Sequence, residues 1–592
     1  MGLFQVRDAA LGPGANGPER FCVDRYGSER LNPRFRARHG KRSQTSNTQT
    51  KISTQPKISR ARADQTDPMT PPNPDFLDDP SAACPSRRTV LRRAGLAALA
   101  GGLSALPGRA FADEAPALPA DGTPFQPGLV TDLARALAKR PYAAPRTDDL
   151  PDALTGLNRE QYAAIRSRPG SAVWADAGLG FTLEPLHRGS VFRSRVVLAL
   201  VEDGAVRALP YDPARFETEG VALPPFKDDP GYSGFRVRAR FRGGDLSDFA
   251  MFQGASFFRA LATGQGFGVT ARALTLRPAD AKGEEFPEFR AIWIERPGPG
   301  GPLVVHALVD SPSAAAALRM SLRPGDASLC DVEGTVFARA AIDHLGLGGM
   351  TTSYLFGPYD RRGADDARAG AYSSGGLQIR TGVDEAIWRP VRNPETLQIS
   401  SFVDENPKGF GLMQRARDYG AFQDDVQHWE WRPSLWLEPL GAWGPGAVTL
   451  LEIPSDSEFN ENVLAYWRPK ATLAAGAEMP FSYRQHWCWQ PPEPPKVALV
   501  SGTRSGRGGD NRRLFLVDFT GAGIAAPGDL QTQLSAASGA ITSSTLYRYP
   551  ERDTLRVAFE LDPKGEKSCE LRLNLQRAGT PLTETWLYRW TP

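Results

Sequence analysis

The sequence has few residues of the kinds that bind metals or form disulfide bridges. Its 592 residues include 6 histidines, which are scattered, and 5 cysteines, no two of which have metal-ligand spacing. It also lacks a P-loop, a dinucleotide-binding fingerprint and an H-E-x-x-H motif. We therefore expect no metal site and no cofactor. An odd number of cysteines favours buried free thiols over a full disulfide framework. The cysteines are Cys22, Cys84, Cys330, Cys488 and Cys569.

The sequence also lacks a basic region of the kind that binds nucleic acids. The formal net charge of +3 comes from residues 1–112, which hold 18 Lys and Arg against 9 Asp and Glu. The rest of the chain holds 52 against 58, which makes its net charge −6. Because a nucleic-acid-binding face needs clustered positive charge, we expect no nucleic-acid partner.

The apolar run near the N-terminus is too short for a membrane span. Residues 94–106 are apolar, but about 13 residues cannot cross a bilayer core of about 30 Å. They follow the twin-arginine pattern SRRTVLR at residues 86–92 and precede a small-x-small site that ends at Ala112. This order predicts a twin-arginine signal peptide over residues 69–112, cleaved after Ala112. It indicates export to the periplasm by the twin-arginine translocase, which carries folded cargo.

Residues 1–68 show no hydrophobic periodicity and are rich in Arg, Ser and Gln. A signal peptide begins near the start of a precursor, and Met69 lies at a suitable distance before the arginine pair. We therefore expect translation to start at Met69. Residues 1–68 are then a disordered extension introduced by the gene model.

Gly and Pro are abundant, with 59 and 51 residues, and they favour many short strands and turns. The chain is too long for a single core, so we expect two folded domains. A Pro-rich segment over residues 490–497 predicts a linker between a large β-sandwich, residues 122–489, and a smaller unit, residues 498–592. The length and strand pattern of the smaller unit are typical of an immunoglobulin-like sandwich.

Three stretches have clear secondary-structure patterns. Apolar residues recur near helical spacing in residues 128–168, and this is the only convincing helical stretch. Residues 195–209 predict a hairpin that turns at Asp203-Gly204. Residues 235–242 alternate strictly between apolar residues and arginines, which predicts a strand with one buried face. The arginine face is either a solvated sheet surface, which we favour, or a polyanion site.

Tryptophans and carboxylates are concentrated in the middle of the chain. The tryptophans are Trp388, Trp429, Trp431, Trp436, Trp443 and Trp467, and the carboxylates are Asp384, Glu385, Asp404, Glu405, Asp424, Asp425, Glu438 and Glu461. Carbohydrate sites need this mixture, because sugar faces lie on aromatic rings while carboxylates bind hydroxyls and transfer protons. The alternative is that the tryptophans form the core of a sandwich. The cluster as a whole favours carbohydrate binding.

Six segments match motifs of one known family, in the family's order. They are FQGASFFRA at residues 252–260, EEFP at 284–287, DSPS at 310–313, FVDENPKGF at 402–410, FQDD at 422–425 and RPSLWLEP at 432–439. On these motifs the chain resembles the osmoregulated periplasmic glucan biosynthesis proteins (MdoG/OpgG and MdoD/OpgD) over residues 125–592. The twin-arginine leader favours the D branch.

The resemblance implies an all-β fold, with a large mutarotase-like β-sandwich followed by an immunoglobulin-like β-sandwich domain. It also implies a periplasmic protein that acts on a β-1,2-linked glucan backbone, as an inverting glycoside hydrolase or a related transglycosylase. Membrane glucan synthase machinery is a further implied partner. An inverting mechanism needs an acid to protonate the leaving oxygen and a base to activate water.

The family's acid is an aspartate in a D-N-I-V segment that precedes a tryptophan. The corresponding residues here are Glu461, Asn462, Val463 and Leu464, ahead of Trp467. The resemblance therefore implies that Glu461 is the acid. Its side chain is one methylene longer, and a displacement of about 1 Å can cost about 100-fold in rate.

The family's base lies in an H-D-S-D-G-L segment, and both of its aspartates are replaced here. Ser373 and Gly375 occupy their positions. A hydroxyl with an ordinary pKa cannot accept a proton as a carboxylate does. We expect either that Asp365 or Asp366 relays the proton, or that the reaction differs, or that hydrolysis is lost.

The resemblance and the aromatic cluster together suggest a sugar cleft. Its predicted substrate-binding residues are Trp388, Arg389, Asp404, Gln423, Trp429, Trp431, Arg432 and Trp436. One hypothesis is a β-1,2-glucan hydrolase or transglycosylase that uses this cleft. A second is a non-catalytic glucan-binding or assembly factor that kept the cleft and lost the base. These two differ in whether a bound glucan is converted to product. A third is an unrelated sugar activity, such as epimerisation on the mutarotase-like fold.

Overall fold

The computed structural model describes residues 119–592, apart from residues 127, 227, 282 and 362. The predicted leader with its cleavage site after Ala112, and the predicted extension over residues 1–68, lie outside the described residues. Within the described part of the chain, no helix is long and apolar enough to cross a membrane.

The described chain is almost entirely β-structure. Its α-helices are α1 Gly128–Ala138, α2 Asp152–Thr155 and α3 Arg159–Ala163. Its first strands are β1 Ile165–Ser167, β2 Phe181–Leu186, β3 Val197–Glu202, β4 Ala205–Ala208, β5 Phe216–Thr218, β6 Gly234–Arg240, β7 Leu246–Gln253, β8 Phe257–Ala260, β9 Thr270–Arg272, β10 Thr275–Leu276, β11 Glu288–Glu295, β12 Leu303–Asp310, β13 Ala314–Arg323, β14 Ala327–Ala338, β15 Leu345–Thr352 and β16 Tyr354–Phe356.

The later strands are β17 Ala371–Tyr372, β18 Gly376–Arg380, β19 Ala386–Pro390, β20 Gln398–Glu405, β21 Gly409–Met413, β22 Ser434–Pro439, β23 Pro445–Glu452, β24 Val463–Pro469, β25 Glu478–Cys488, β26 Leu499–Arg507, β27 Arg513–Thr520, β28 Gln531–Ala536, β29 Ala540–Tyr549, β30 Thr554–Asp562, β31 Cys569–Arg577, β32 Thr580–Pro581 and β33 Thr585–Trp590. Short 3-10 helices cover Pro213–Arg215, Tyr419–Ala421, Trp429–Trp431 and Pro550–Arg552.

Two large sheets build the main sandwich. Sheet I has ten strands in the order β2-β6-β7-β8-β9-β15-β24-β23-β20, with β10 beside β15. Sheet II has fifteen, in the order β28-β31-β33-β19-β18-β21-β22-β25-β14-β13-β12-β11-β3-β4, with β32 beside β31. The main core lies between them, where Phe258 of sheet I approaches Trp487 of sheet II and the Leu412 amide donates to the Met350 sulfur at 3.3 Å. The all-β sandwich fold is therefore confirmed.

A smaller sandwich follows in the chain. Sheet III has the order β26-β27-β30-β29, and its core side chains pack with those of β31 and β33. The register of β33 with β19 is parallel and places Trp586 opposite Trp388. Trp388 and Trp436 therefore belong to the core of this smaller sandwich, although they precede it in the chain.

The local patterns agree with the structure in most respects. The hairpin is β3–β4, and it turns at Asp203 and Gly204, both of which have positive φ as a two-residue turn requires. In β6, Phe235, Val237 and Ala239 are fully buried. Their neighbours Arg236 and Arg238 pair with Glu184 and Asp248, as expected of an ordinary outer sheet face.

The predicted helical stretch and the predicted free cysteines also agree with the structure. The three described α-helices all lie within the predicted stretch, residues 128–168, and Pro141, Pro145 and Pro151 lie between α1 and α2. Cys330, Cys488 and Cys569 are buried free thiols, as predicted for the described part of the chain.

Candidate functional site

Three neighbouring strands of sheet I direct side chains at one carboxylate. Glu461 lies two residues before the start of β24, and its side chain is only 13% exposed. Thr351, near the end of β15, donates to its Oε2 at 2.5 Å, and Thr270 of β9 donates to its Oε1. Arg259 of β8 donates to the same Oε1 from 3.2 Å. The antiparallel register pairs Thr270 with Thr351, so strand pairing itself sets this geometry.

These contacts define what Glu461 can do. Both of its oxygens accept hydrogen bonds, and one donor is a guanidinium, whose charge-assisted bonds are the stronger kind. Proton donation by Glu461 therefore requires at least one of these contacts to rearrange when substrate binds. The long aliphatic part of Arg259, which is 33% exposed, makes that side chain the most mobile of the three donors.

A second group of charges lies on the loops next to Glu461. The Arg368 cluster consists of Arg368 and three carboxylates, Asp366, Asp424 and Glu458, at 2.8, 2.6 and 2.6 Å. Burial would raise the pKa of Asp424. Amide hydrogen bonds from Gln427 and Val426, with side-chain bonds from Arg368 and Trp429, lower it to about 2 instead. The hydrogen bond from Arg368 also lowers the pKa of Asp366.

The loop that carries Glu461 joins these two groups. Glu458 contacts Arg368, and Glu461 follows it by three residues. Asn462 fixes the end of the loop, since its side chain accepts from the Tyr354 amide and donates to the carbonyls of Tyr354 and Ile453. The Arg368 cluster and Glu461 thus belong to one continuous site.

The position of the family's base lies at the same end of β15. Ser373 is 4% exposed, and its hydroxyl lies 3.2 Å from that of Ser353. Thr352 donates to Ser374 at 3.1 Å. Because Thr351, Thr352 and Ser353 are consecutive, the structure brings Ser373 and Glu461 to adjacent residues of one strand end. Of the two alternative carboxylates, Asp365 is exposed and Asp366 belongs to the Arg368 cluster.

Two more predicted residues approach this site on the 418–432 loop. Trp429 is buried, and its Nε1 donates to Asp424 at 2.9 Å. Arg432 lies 5.2 Å from the centre of the Trp429 ring. Burial, together with the nearby charge of Arg259, lowers the pKa of Arg432 to about 10. This electrostatic coupling to Arg259 connects the loop to Glu461.

Trp431 offers an exposed aromatic surface on the same loop. Its side chain is 48% exposed, and its ring stacks on that of His428 with centroids 3.9 Å apart and an interplanar angle of 8°. His428 has a φ of 47°, and its Nδ1 lies 3.1 Å from the buried carboxylate of Glu430. Flat rings of this kind bind the apolar faces of sugars. Gln423, also predicted, is exposed with a φ of 54°.

The other predicted substrate-binding residues lie elsewhere. Trp388 and Trp436 are buried, and Arg415 covers the Trp388 ring at 3.6 Å. Arg389 is 1% exposed and donates to Glu452 at 3.0 Å. Asp404 accepts from the amides of Gly382 and Glu405 and holds a turn. The structure does not bring these four residues to Glu461, so we leave them out of the candidate site.

The site also contains residues for which the sequence predicted no function. Arg259 lies within the 252–260 motif, and that motif was the signal that could have drawn attention to it. Glu458 is close in sequence to Glu461. Thr270 and Thr351 carry no sequence signal, since only strand pairing brings them together. Arg368 is likewise recognisable only from its three ion pairs.

The carboxylates of this site do not form a metal centre. Among the residues that the structure describes, no group of three or more His, Cys, Asp or Glu side chains is placed to hold a metal ion. In the Arg368 cluster a guanidinium occupies the position between the carboxylates that a cation would take.

Comparison with known proteins places this chain among glucan biosynthesis proteins. A family model described as "Periplasmic glucan biosynthesis protein, MdoG" matches residues 125–590. Glucans biosynthesis protein G of Vibrio cholerae serotype O1 is 43% identical over 476 residues, which cover 79% of this chain and 87% of the relative. Proteins of the same name from Bradyrhizobium diazoefficiens and Shewanella baltica are each 42% identical, over 79% of this chain and 94% and 87% of their own lengths.

Proposed function

The chain belongs to the MdoG family of periplasmic glucan biosynthesis proteins, and from this premise we propose that it takes part in glucan biosynthesis in the periplasm. We propose further that it processes the β-1,2-linked glucan backbone as a glycoside hydrolase or transglycosylase. One observation carries this proposal. A nearly buried carboxylate, a cluster of three more carboxylates and an exposed tryptophan lie on adjoining loops, next to the central strands of sheet I.

In this proposal Glu461 protonates the leaving glycosidic oxygen. The substrate displaces Arg259 from Oε1, since that contact is the longest of the three at 3.2 Å. Loss of a cationic partner favours the protonated form of a carboxyl group, which is the form that an acid needs. Thr270 and Thr351 keep the side chain in place while the proton is transferred.

The base in this proposal is Asp366, acting through a water molecule. Asp366 is 26% exposed, more than Asp424 or Glu458, and its pKa is lowered, so that it is ionised and can accept a proton. Inverting enzymes hold acid and base about 6.5–9.5 Å apart, which leaves room for that water. Ser373 then takes no part in proton transfer, because its buried hydroxyl contacts another hydroxyl.

Glucan binding in this proposal uses the 418–432 loop. The free face of Trp431 carries one glucose ring, while Gln423 and Arg432 bind hydroxyls beside it. The role of Trp429 is to hold Asp424 and Arg432, since its ring is buried.

A second candidate function is glucan binding without catalysis. The observation that favours it is the position of Ser373, where the family's base is replaced and the hydroxyl is buried. In this case the three carboxylates of the Arg368 cluster hold the loops, and the site retains a glucan for membrane glucan synthase machinery. The contacts between the site and the glucan then contribute to binding affinity and not to catalysis.

Export and domain organisation remain part of the proposal. We propose a twin-arginine signal over residues 69–112, and folded units over residues 122–489 and 498–592 joined by residues 490–497. The D branch rests on that signal alone and gains no support from the relatives described above, which carry the name G.

The experiment that separates these functions is incubation of the purified protein with linear β-1,2-glucan. Reducing ends and product sizes are followed over time, and binding is measured in parallel by calorimetry. New chain lengths support the enzyme. Binding at micromolar affinity without any product supports the binding protein instead. Absence of both would overturn the two candidate functions together.

A further inference from the structure

A separate concave site lies on the outer face of sheet II. Its volume is about 620 Å³, within the range of about 300–1,000 Å³ typical of small-molecule sites. Its floor is formed by β13, β14 and β25, and its lining also includes His306 of β12. The first residues of α1 form one wall and residues 440–443 form the other. We call it the Arg319 pocket.

A row of polar side chains crosses the floor. The strand registers place His306 opposite Arg319, Arg319 opposite Glu333, and Glu333 opposite Ser482. Residues opposite one another in antiparallel strands project from the same face of the sheet. The alternate residues, such as Ala307 and Met320, belong to the core between sheets I and II, so this row faces outward.

Two charged groups in this row are available to a ligand. Arg319 and Glu333 are 41% and 61% exposed, and their closest atoms are 3.8 Å apart. That separation is longer than a hydrogen bond, so guanidinium N–H groups and carboxylate lone pairs both remain accessible. His306 is fixed by contrast, with its Nε2 2.6 Å from Glu295 and its ring edge against Phe125.

The walls of the pocket are held in place. Ser482 accepts hydrogen bonds at its carbonyl from the amide of Leu440 and from Nε1 of Trp443, and its hydroxyl donates to the carbonyl of Leu440. On the opposite side, Arg135 of α1 binds Glu478 of β25 at 2.7 and 3.2 Å. The pocket is therefore formed before a ligand binds, which lowers the entropy cost of binding.

We propose that the Arg319 pocket is a second carbohydrate site, which binds a short neutral oligosaccharide independently of Glu461. The side-by-side donor and acceptor match the vicinal hydroxyls of a sugar, each of which can both donate and accept. Arg319 and Glu333 compensate each other's charge, so the floor has no preference for an ionic ligand. The partly exposed indole of Trp443 supplies apolar surface at the rim. The site would hold glucan without processing it.

The test is saturation-transfer difference NMR with a linear β-1,2-glucan of five glucose units as the probe. This method detects weak ligands of large proteins. The full-length chain is compared with Trp431→Ala, which removes the exposed ring of the Glu461 site. We expect a clear residual signal in Trp431→Ala, because the Arg319 pocket is unchanged.

The decisive variant combines Arg319→Met with Glu333→Gln in the Trp431→Ala background. We expect it to lower the residual signal severalfold, down to the contribution of the weakened Glu461 site, with an unchanged melting temperature. Arg323→Met in the same background is the matched control. Arg323 lies on the same strand, is 50% exposed and pairs with Asp331 at 3.5 Å, but it does not line the pocket. We expect it to leave the affinity unchanged.

Two results would overturn the inference. If the residual signal does not respond to the Arg319 and Glu333 substitutions, or responds equally to Arg323→Met, the second site is wrong and the proposed function at Glu461 is unaffected. If the wild-type chain gives no signal with the glucan, the proposed function fails as well.

Discussion

Two regions of the molecule contain the same kinds of residue but place them in different surroundings. Around Glu461, Trp431 is half-exposed and the carboxylates lie on loops beside it. Around Trp388, the tryptophans are buried in the core of the smaller sandwich, and Arg415 covers the Trp388 ring. The first region presents a surface to a ligand, whereas the second joins two parts of the chain. Residue type therefore does not distinguish a sugar cleft from a core.

The cause of the difference is strand pairing. The parallel register of β19 with β33 places Trp388 against Trp586, so its ring fills the core of the smaller sandwich. Trp431 ends a short 3-10 helix that follows His428 between β21 and β22, and its side chain is 48% exposed. Side chains on loops remain available for binding while the sheets hold the loops in place.

The largest expected effect is on the free energy of unfolding, and it concerns the buried Trp388. Trp388→Ala should destabilise the protein by about 4 kcal/mol, because it removes a buried indole and leaves a cavity. Trp431→Ala should change the free energy of unfolding by less than about 1 kcal/mol, since half of its surface is already in water. Urea unfolding followed by circular dichroism measures both. Equal losses in the two variants would break the comparison.

The next largest expected effect is a loss of folding stability at low pH, which arises from Asp424 in the Glu461 region. The folded-state pKa of Asp424 is about 2, below the ordinary value of about 3.9 for an unfolded chain. Its contribution is fully present above about pH 4 and is lost as the pH falls towards 2. It amounts to about 2 kcal/mol.

Urea unfolding at pH 5 and at pH 2.5 measures this contribution. The variant Asp424→Asn should lose stability at pH 5 and show a shallower decline than the wild type between the two values. The exposed Asp425, next to it in the chain, gives the control Asp425→Asn. If Asp424→Asn declines with acid as steeply as the wild type, the Arg368 cluster does not hold this loop.

A smaller effect is expected for the exposed ring. Trp431→Ala should weaken the binding of linear β-1,2-glucan about tenfold, through loss of one sugar-stacking surface. Tyr547→Ala is the matched control, because Tyr547 is 47% exposed on β29 and lies outside the site. Calorimetry gives both affinities. An unchanged affinity in Trp431→Ala would remove this ring from the glucan site.

The smallest expected effect is on glucan affinity, and it concerns the His428 ring that stacks on Trp431. His428→Asn keeps a residue that tolerates positive φ but removes the stacked ring, so glucan affinity should fall about threefold. His428→Tyr restores a ring and should recover most of the loss. A structural role alone would not produce recovery, since tyrosine is the more strained residue at this position. Equal affinities for the Asn and Tyr variants would show that the stack does not matter.

Much of the fold could be predicted from the sequence, because its signals are local. Strict alternation located β6, and Asp203-Gly204 located the β3–β4 hairpin, since both depend on neighbouring residues alone. The family motifs located Glu461 and the 418–432 loop. Apolar spacing likewise located the stretch, residues 128–168, that holds the described α-helices.

The composition of the site could be predicted only in part, because it depends on contacts distant in sequence. Arg259, Thr270 and Thr351 reach Glu461 across sheet I from positions 110 to 202 residues away. Arg368 meets Asp424 and Glu458 at separations of 56 and 90 residues. No spacing rule relates such residues. The buried positions of Trp388 and Trp436 follow from pairing with strands near the C-terminus, which is equally non-local.

The central claim, that Glu461 performs chemistry on glucan, is tested most directly by Glu461→Gln. Glutamine keeps the size of the side chain and an oxygen that can accept from Arg259, but it lacks the charge and the acidic proton of the carboxyl group. Reducing ends released from linear β-1,2-glucan are followed beside Asp404→Asn, a carboxylate variant outside the site. The account predicts that Glu461→Gln loses at least about 100-fold in rate while binding glucan within about threefold of wild type, and that Asp404→Asn is unaffected. Release at the wild-type rate by Glu461→Gln would contradict it.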